Sequence, residues 1–146
     1  MAPDVNVLVA ASRADHPHHT QALSWLEQAL TAASAGPPLA LMPMVIASFL
    51  RLMTSPRIFT TPTPITQAVA FVEGLLANAG VEMPALGPEW PRLRDLCLTK
   101  GLTGNDLPDA WLAAAVDLRG EHLVTFDRDF RKLLARGRLT VLLPAV

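Results

Sequence analysis

Several residue types are scarce in this 146-residue sequence, and each scarcity limits what the protein can be. A single cysteine, Cys97, excludes an internal disulfide bond and any metal site built from several cysteines. Tyrosine is absent and aromatic residues make up 5% of the chain, so we expect no ladder of aromatic side chains for stacking bases. If the protein recognises nucleic acid, the sequence therefore predicts recognition through the backbone and the shape of the strand.

Long hydrophobic runs are also absent. No apolar run approaches the roughly 18 residues that a membrane span requires, and the N-terminus lacks the basic and apolar regions of a signal peptide. Apolar residues make up 51% of the chain and charged residues 17%, a balance typical of a compact domain with a buried parallel sheet. We expect one domain over residues 1–146, located in the cytoplasm and without a membrane partner.

The formal net charge of −1 excludes nothing, but the cations are unevenly placed. Five of the twelve lie within eleven positions near the C-terminus, namely Arg128, Arg131, Lys132, Arg136 and Arg138. They form either a solvated helix face or a rim that contacts phosphates, and the sequence leaves both interpretations open.

Strands and helices alternate along the whole sequence. Apolar residues at helical spacing predict helices over residues 19–33, 43–54, 65–78 and 90–100, with a further short helix over residues 131–136 that Gly137 ends. Short apolar runs predict strands over residues 39–42, 81–83 and 139–143. This alternation is typical of an α/β fold with a parallel sheet.

Residues 103–130 form the central unit of the chain. Asp106 and Asp109 lie at the start of a predicted helix over residues 110–118, and a strand over residues 122–126 is followed by Asp127 and Asp129. In open α/β sheets, ligands bind at the edge where the strands end.

Asp4 lies near the start of the chain and raises a question. Only three residues precede it, so a first strand that carries Asp4 would be unusually short, and Asp4 could instead cap the apolar segment of residues 5–11.

If the strands are parallel, Asp4, Asp109 and Asp127 meet at one sheet edge. Carboxylates so close repel one another unless a cation lies between them or some are protonated. Oxygen ligands without paired His or Cys favour Mg²⁺ or Mn²⁺ over zinc.

Each of these acidic residues also has a purely structural interpretation. Asp106 and Asp109 match a helix capping box, and Asp127 and Asp129 match turn residues. Other polar groups are equally ambiguous. His16, His18 and His19 suggest a metal site but more simply belong to the exposed start of a helix. The predicted helix over residues 43–54 carries a polar stripe, Ser48, Arg51 and Thr54, which faces either solvent or a cleft.

The order of several segments resembles a PIN domain, and more narrowly a VapC-type toxin ribonuclease of a bacterial toxin–antitoxin pair. These segments are DVNVLVAA from residue 4, HH…A…WLE from residue 18, FLRLMTSPRIF from residue 49, PDAWLAAAVDLRGEHLVTFDRDF from residue 108, and a closing strand. The resemblance implies a three-layer α/β/α sandwich around a central, mostly parallel sheet. It also implies Mg²⁺ or Mn²⁺ as cofactor, single-stranded or looped RNA as substrate, a cognate VapB-type antitoxin that covers the active site, and a homodimer.

The same resemblance assigns roles to individual residues. It implies metal-assisted hydrolysis of a phosphodiester bond by Asp4, Asp109 and Asp127, with Asp129 as an auxiliary metal ligand. Asn6 matches a polar residue that orients the first acid or a water molecule. Ser48 departs from the pattern, because many relatives carry a glutamate there, so metal binding is weaker or Ser48 acts through water.

Three arginines, Arg51, Arg57 and Arg128, are candidates for gripping the RNA backbone. The helix over residues 65–78 and the helix that carries Trp25 offer apolar surface to a partner helix, or simply pack in the core.

Two other functions fit parts of the pattern. The missing glutamate and the short first strand also suit a catalytically weak module that binds RNA or antitoxin without cutting. An Mg²⁺-dependent phosphohydrolase or receiver-like domain clusters aspartates in the same way, but it needs a lysine near the phosphoryl group. Lys100 and Lys132, the two lysines of the sequence, do not follow obvious strands.

Overall fold

The structure, a computed structural model that describes residues 1–143, contains six α-helices and five short strands in that range. In chain order they are β1 (Ala2–Pro3), α1 (Val5–Ser12), α2 (His19–Ala33), β2 (Leu39–Ala40), α3 (Pro43–Met53), α4 (Ile65–Leu76), β3 (Val81–Glu82), α5 (Trp90–Lys100), α6 (Asp106–Leu118), β4 (Leu123–Thr125) and β5 (Leu139–Val141). The last three residues of the predicted domain lie outside the described range. The predicted α/β/α sandwich around a parallel sheet is confirmed.

All strand pairs are parallel. β1 pairs with β4 and β4 with β5, while β2 pairs with β3 as a second sheet. The two sheets meet where the Ala40 N–H donates to the Met1 carbonyl at 2.8 Å, which gives the spatial order β3-β2-β1-β4-β5. The next donor in a parallel ladder would be the backbone nitrogen of residue 3. Because Pro3 has no N–H, the hydrogen bonding between β1 and β2 stops there.

The central helix α1 follows β1 without a loop. Its residues 7–11 are all buried, including Val7 and Leu8, so this helix is apolar on every side and lies inside the protein. α1 packs against α2 and α3, and Phe49 and Phe130 fill the core beside it. None of the helices within residues 1–143 is long and apolar enough to cross a membrane.

The predicted helix boundaries are confirmed at α2 and α5, but two predictions were inexact. α6 begins at Asp106, four residues before the predicted start, because Pro108 is tolerated within the first turn of a helix. The predicted helix over residues 131–136 is wrong. A 3₁₀ turn at Arg128–Lys132 precedes a second at Arg136–Arg138, because the Asp127 side chain accepts a hydrogen bond from the Asp129 N–H and starts the first turn early.

Gly80 precedes β3 at a site that no other residue fits. Its φ is 79°, and a Cβ atom there would lie 2.0 Å from the Ala33 carbonyl oxygen. We expect Gly80→Ala to lower the free energy of unfolding by at least about 2 kcal/mol, since left-handed strain adds to a backbone clash. Urea unfolding measures it. Gly74→Ala is the control, because nothing lies within 4 Å of its Cβ, and equal stability of the two variants would contradict the prediction.

Candidate acidic site at the carboxyl edge of the sheet

Asp4 is held rigidly despite the shortness of β1. Its backbone N–H donates to the Val124 carbonyl at 2.9 Å, and Ala2 is anchored to the His122 carbonyl at 2.8 Å. The Asp4 Oδ1 atom accepts from the Val5 N–H at 2.7 Å, so Asp4 ends a strand and caps α1 at once. Both interpretations of the sequence therefore hold for the geometry. Burial raises the pKa of the Asp4 carboxyl, although its hydrogen bonds from Thr125 and Val5 act in the opposite direction.

Thr125, the last residue of β4, connects the acidic residues. Its fully buried hydroxyl donates to Asp4 Oδ2 at 2.7 Å and accepts from the Asp127 N–H at 2.9 Å and from Asn6 Nδ2 at 3.1 Å. One donor and two acceptor positions are all that a hydroxyl offers, so the group is fully used. The sequence did not point to Thr125, and its place at the strand end directly before the acidic turn is the signal that could have.

Asn6 reaches the acid through this hydroxyl. Its Oδ1 atom also accepts from the Phe126 N–H at 3.2 Å, so the side chain bridges the first turn of α1 and the end of β4. The predicted orienting role of Asn6 is thus compatible with the geometry, with Thr125 between Asn6 and Asp4.

Replacing Thr125 by valine should have a clear cost. We expect Thr125→Val to lower the free energy of unfolding by about 2 to 3 kcal/mol, because buried polar partners of the hydroxyl lose their hydrogen bond. Thr125→Ser retains the hydroxyl and should cost about 1 kcal/mol for the lost methyl group. Urea unfolding of both variants tests the contribution of the Thr125 hydroxyl to stability. A serine variant as unstable as the valine variant would show that packing of the methyl group, and not the hydroxyl, matters.

Asp109 lies in the first turn of α6, half-buried at the same edge. Burial, and after it the neighbouring charges of Asp4, Asp127, Asp129 and Asp106, together raise the pKa of its carboxyl to about 6. The predicted acids therefore lie within electrostatic reach of one another.

Asp127 and Asp129 occupy the turn after β4. Asp127 Oδ1 accepts from the Asp129 N–H at 2.8 Å, so Asp127 is a turn residue as well as a member of the acidic cluster. The Asp129 side chain is exposed and lies 4.0 Å from the Lys132 ammonium group. These two carboxylates thus form the outer rim of the edge.

Two cavities adjoin the acids, and Asp109 borders both. The larger, about 780 Å³, we call the apolar cleft. Beyond Asp4, Ser48 and Asp109 its lining is mainly apolar and comes from α1, α3, α5 and α6, including Met44, Trp90, Leu93, Cys97, Leu107, Trp111 and Leu112. The smaller, about 490 Å³, we call the charged cavity, and it is lined by Lys100, Leu102, Asp106, Asp109, Asp129, Lys132 and Leu133. Lys100 and Lys132, which do not follow obvious strands in the sequence, therefore line this cavity together with Asp106, Asp109 and Asp129.

The chemistry of the donors suits a hard divalent cation, since the cluster is made of carboxylates whose charges already repel one another at Asp109. Within residues 1–143, however, no three side chains among His, Cys, Asp and Glu are placed to hold a metal ion as they lie. Carboxylates that share one edge separate unless a cation lies between them. The donor set fits Mg²⁺ or Mn²⁺, and side-chain rotation would have to bring the oxygens together.

The three predicted RNA-gripping arginines, Arg51, Arg57 and Arg128, are exposed. None of them borders the apolar cleft or the charged cavity, but Arg128 lies between Asp127 and Asp129 in the turn after β4. Ser48, by contrast, lines the apolar cleft together with Asp4 and Asp109, so the position where relatives carry glutamate does face the site.

The histidines near α2 have structural contacts. His18 stacks on Phe126 with ring centroids 5.0 Å apart, and His19 Nδ1 lies 2.9 Å from the Ala10 carbonyl oxygen. Of the two helices predicted to offer apolar surface, α2 packs Trp25 against the core, whereas α4 has the exposed apolar residues Ile65 and Val69.

Comparison with known proteins identifies the family of the chain. The PIN domain model matches residues 1–134, and the chain belongs to the PIN domain family. It is 41% identical over 132 residues to "Ribonuclease VapC31" of Mycobacterium tuberculosis, covering 88% of this chain and 89% of that one. It is 40% identical over 130 residues to "Ribonuclease VapC25" of the same organism, again covering 88% and 89%.

Two solved structures share the fold. Mycobacterium tuberculosis VapC20, described as a sarcin-ricin loop cleaving toxin, aligns with a TM-score of 0.60 and 20% identity over 90% of this chain and 92% of that one. VapBC2 from Rickettsia felis, solved bound to a DNA fragment from its promoter, aligns with a TM-score of 0.59 and 18% identity over 90% and 91%. At these identities the likeness concerns the fold.

Proposed function

We propose that this protein is a metal-dependent endoribonuclease toxin of the VapC type, which cuts RNA at the edge formed by Asp4, Asp109 and Asp127. The observation that carries the proposal is the placement of Asp4 and Asp127 at the carboxyl end of paired strands and of Asp109 at the start of α6 beside them, where burial and the neighbouring acids raise the pKa of Asp109 to about 6. Repulsion within a cluster of carboxylates destabilises the folded protein, and a bound cation would remove that repulsion. The family, and relatives named ribonucleases at about 40% identity, support the same activity.

The residues of the site divide the work of phosphodiester hydrolysis between them. The Asp4 carboxylate accepts a hydrogen bond from the Thr125 hydroxyl, and the backbone N–H of Asp127 donates to the same hydroxyl, while Asp109 projects from the first turn of α6. A Mg²⁺ or Mn²⁺ ion held by Asp4, Asp109 and Asp127, with Asp129 as auxiliary ligand, would supply positive charge for the scissile phosphate and a lower pKa for an attacking water. Ser48 and Asn6 would orient water beside these carboxylates.

The cationic contacts to the substrate come from the rim. Lys100 and Lys132 border the charged cavity, which Asp109 and Asp129 also line. Arg51, Arg57 and Arg128 remain candidates for contacts with more distant phosphates, because all three are exposed.

Removing the metal tests the reaction directly. We expect the purified protein to cut single-stranded RNA in Mg²⁺ or Mn²⁺ and to lose all cleavage in excess EDTA. Added Mn²⁺ should also raise the melting temperature by several degrees, since saturation at a hundred times Kd stabilises by about 2.7 kcal/mol. Asp95→Asn, an exposed acid on α5, is the control and should respond like the wild type. RNA cleavage that persists undiminished in EDTA would contradict metal dependence.

A VapB-type antitoxin is the proposed partner, and a homodimer the proposed assembly. The apolar cleft beside the acids and the exposed Ile65 and Val69 on α4 offer surface for a partner helix or a second copy. Light scattering of the isolated chain should give twice the monomer mass of 15.7 kDa.

One observation favours a second candidate, a module that binds RNA without cutting it. Ser48 supplies only a hydroxyl to the apolar cleft, at a position where a further carboxylate would strengthen a cation site. Calorimetric titration with Mn²⁺ beside the cleavage assay separates the two functions, because the module would bind RNA without metal uptake or product formation.

A further inference from the structure

Two tryptophans line the apolar cleft with the acids Asp4 and Asp109. Trp90, at the start of α5, is 59% exposed, and Trp111, two residues after Asp109 on α6, is 39% exposed. The scarcity of aromatic residues predicts recognition without base stacking, yet two of the three tryptophans of the chain lie at this one site. Large indole rings that remain in contact with water on a cleft wall indicate a ligand surface.

Glu89 fixes the orientation of Trp111. Its side chain is almost completely buried, with 3% exposure, and its Oε1 atom accepts from the Trp111 indole N–H at 2.6 Å. Its Oε2 atom accepts from the Gly87 N–H at 2.7 Å. Burial alone would raise the pKa of Glu89, but these hydrogen bonds hold it below its usual value.

A buried carboxylate is costly unless it is hydrogen-bonded, and here one of its partners is the side chain of the cleft wall. The bond directs the only polar atom of the indole toward the interior. The apolar ring is thereby left as the part of Trp111 that a ligand in the cleft can contact.

We propose that Trp111, oriented by Glu89, forms with Trp90 a stacking surface for an unpaired RNA base next to the phosphate that lies at the acids. This inference rests on the proposed function, and it names a substrate subsite. The apolar wall offers a phosphate no cationic side chain, whereas a base is flat, largely apolar and able to stack on any aromatic ring. Cations lie on the other side of Asp109, where Lys100 and Lys132 line the charged cavity together with Asp106, Asp109 and Asp129.

Binding of two eight-unit oligomers tests the subsite. One is an RNA octamer of adenosines, and the other is an oligomer of abasic sugar phosphates with the same charge. Both are titrated in Mg²⁺ against Asp109→Asn protein, which keeps the RNA intact, with fluorescence anisotropy for affinity and tryptophan emission for stacking. We expect the adenosine octamer to bind about tenfold more tightly than the abasic oligomer and to quench the emission.

Variants of Trp111 and of Glu89 test which residues cause the preference for the adenosine octamer. In the same background, Trp111→Leu should abolish the tenfold preference, and Trp111→Phe, which retains a ring, should keep part of it. Glu89→Gln keeps an acceptor for the indole and should retain the preference, whereas Glu89→Leu should lose it. Trp25→Phe, a change in the core-facing tryptophan, is the control and should leave the preference intact. Thermal unfolding verifies that each variant is folded.

Equal affinity for the two oligomers, or an unchanged preference in folded Trp111→Leu, overturns the proposal. Quenching by an apolar peptide but not by the adenosine octamer also overturns it and assigns the wall to a protein partner. If the wild type cleaves RNA that carries an abasic unit next to the cleaved bond as fast as intact RNA, the subsite is refuted and the ribonuclease stands. No cleavage by the wild type in Mg²⁺ or Mn²⁺ would refute the ribonuclease, whatever the binding experiment gives.

Discussion

Asp109→Asn is expected to reduce RNA cleavage by about a thousandfold while the protein stays folded. The substitution keeps the shape of the side chain and removes one of the three charges that hold the cation, an effect worth several kcal/mol in the transition state. Cleavage of a fluorescently labelled single-stranded RNA in Mg²⁺ measures it. Asp95→Asn is the matched control, because it removes the same charge from an exposed position on α5 and should cleave at the wild-type rate.

The same variant should be more stable than the wild type when metal is withheld. The Asp109 carboxyl has a pKa of about 6 in the folded protein, against an ordinary value of 3.8. Between these values the folded state holds a proton that the unfolded state has released, so the stability of the metal-free wild type falls as the pH rises through this window. The penalty is fully developed above pH 6.

At pH 7.5 in EDTA we expect Asp109→Asn to gain about 1 kcal/mol, a value reduced for the water that screens a half-exposed carboxylate. The gain should disappear near pH 4, and Mn²⁺ should stabilise the wild type but not the variant. Urea unfolding at both pH values measures these differences. A variant that cuts RNA normally, or a stability gap that widens toward acid pH, would remove Asp109 from the acidic site.

Asp4→Asn and Asp4→Ala should both eliminate cleavage, and they should differ in stability. Asparagine is as good a helix cap as aspartate and still offers an oxygen to the Val5 N–H or to the Thr125 hydroxyl. Alanine leaves both donors without their acceptor. We therefore expect Asp4→Ala to lower the free energy of unfolding by about 2 kcal/mol relative to Asp4→Asn.

Cleavage assays and urea unfolding of the two Asp4 variants, run side by side, separate the charge from the cap. Wild-type activity in Asp4→Asn would show that Asp4 is only a cap. Equal stability of the two variants would show that the hydrogen bonds at Asp4 contribute little to the fold.

The sequence was sufficient for the fold class because helical and apolar periodicities agree with the final elements. α2 and α5 begin and end where their patterns predict, and Gly120, in the left-handed region at φ 67°, follows α6. The helix predicted over residues 131–136 was wrong because one side-chain hydrogen bond, from the Asp129 N–H to Asp127, starts a 3₁₀ turn earlier in the chain. A local bond of this kind leaves no periodic signal.

The acids of the candidate site could be predicted because strand ends and helix starts are visible in a sequence and parallel strands bring them to one edge. The surroundings could not. Thr125 and Glu89 act through partners that are distant in sequence. Thr125 bonds Asp4, 121 positions away, and Glu89 bonds Trp111, 22 positions away. The position of Lys100 and Lys132 beside Asp109 at the charged cavity also depends on packing, because Lys100 lies at the end of α5 and Lys132 in the turn after β4.

The interruption of backbone bonding at Pro3 has a mechanical consequence. The acids Asp4 and Asp127 belong to the half of the sheet formed by β1, β4 and β5, whereas α3, which contributes Met44 and Ser48 to the opposite side of the apolar cleft, follows β2 in the other half. Beyond Met1 the two halves are joined by side-chain packing, which slides at lower cost than a hydrogen-bonded ladder breaks. Shear along this seam would change the width of the cleft, whereas Asp4 and Asp127 would move together because both are hydrogen-bonded to β4, at Val124 and Thr125.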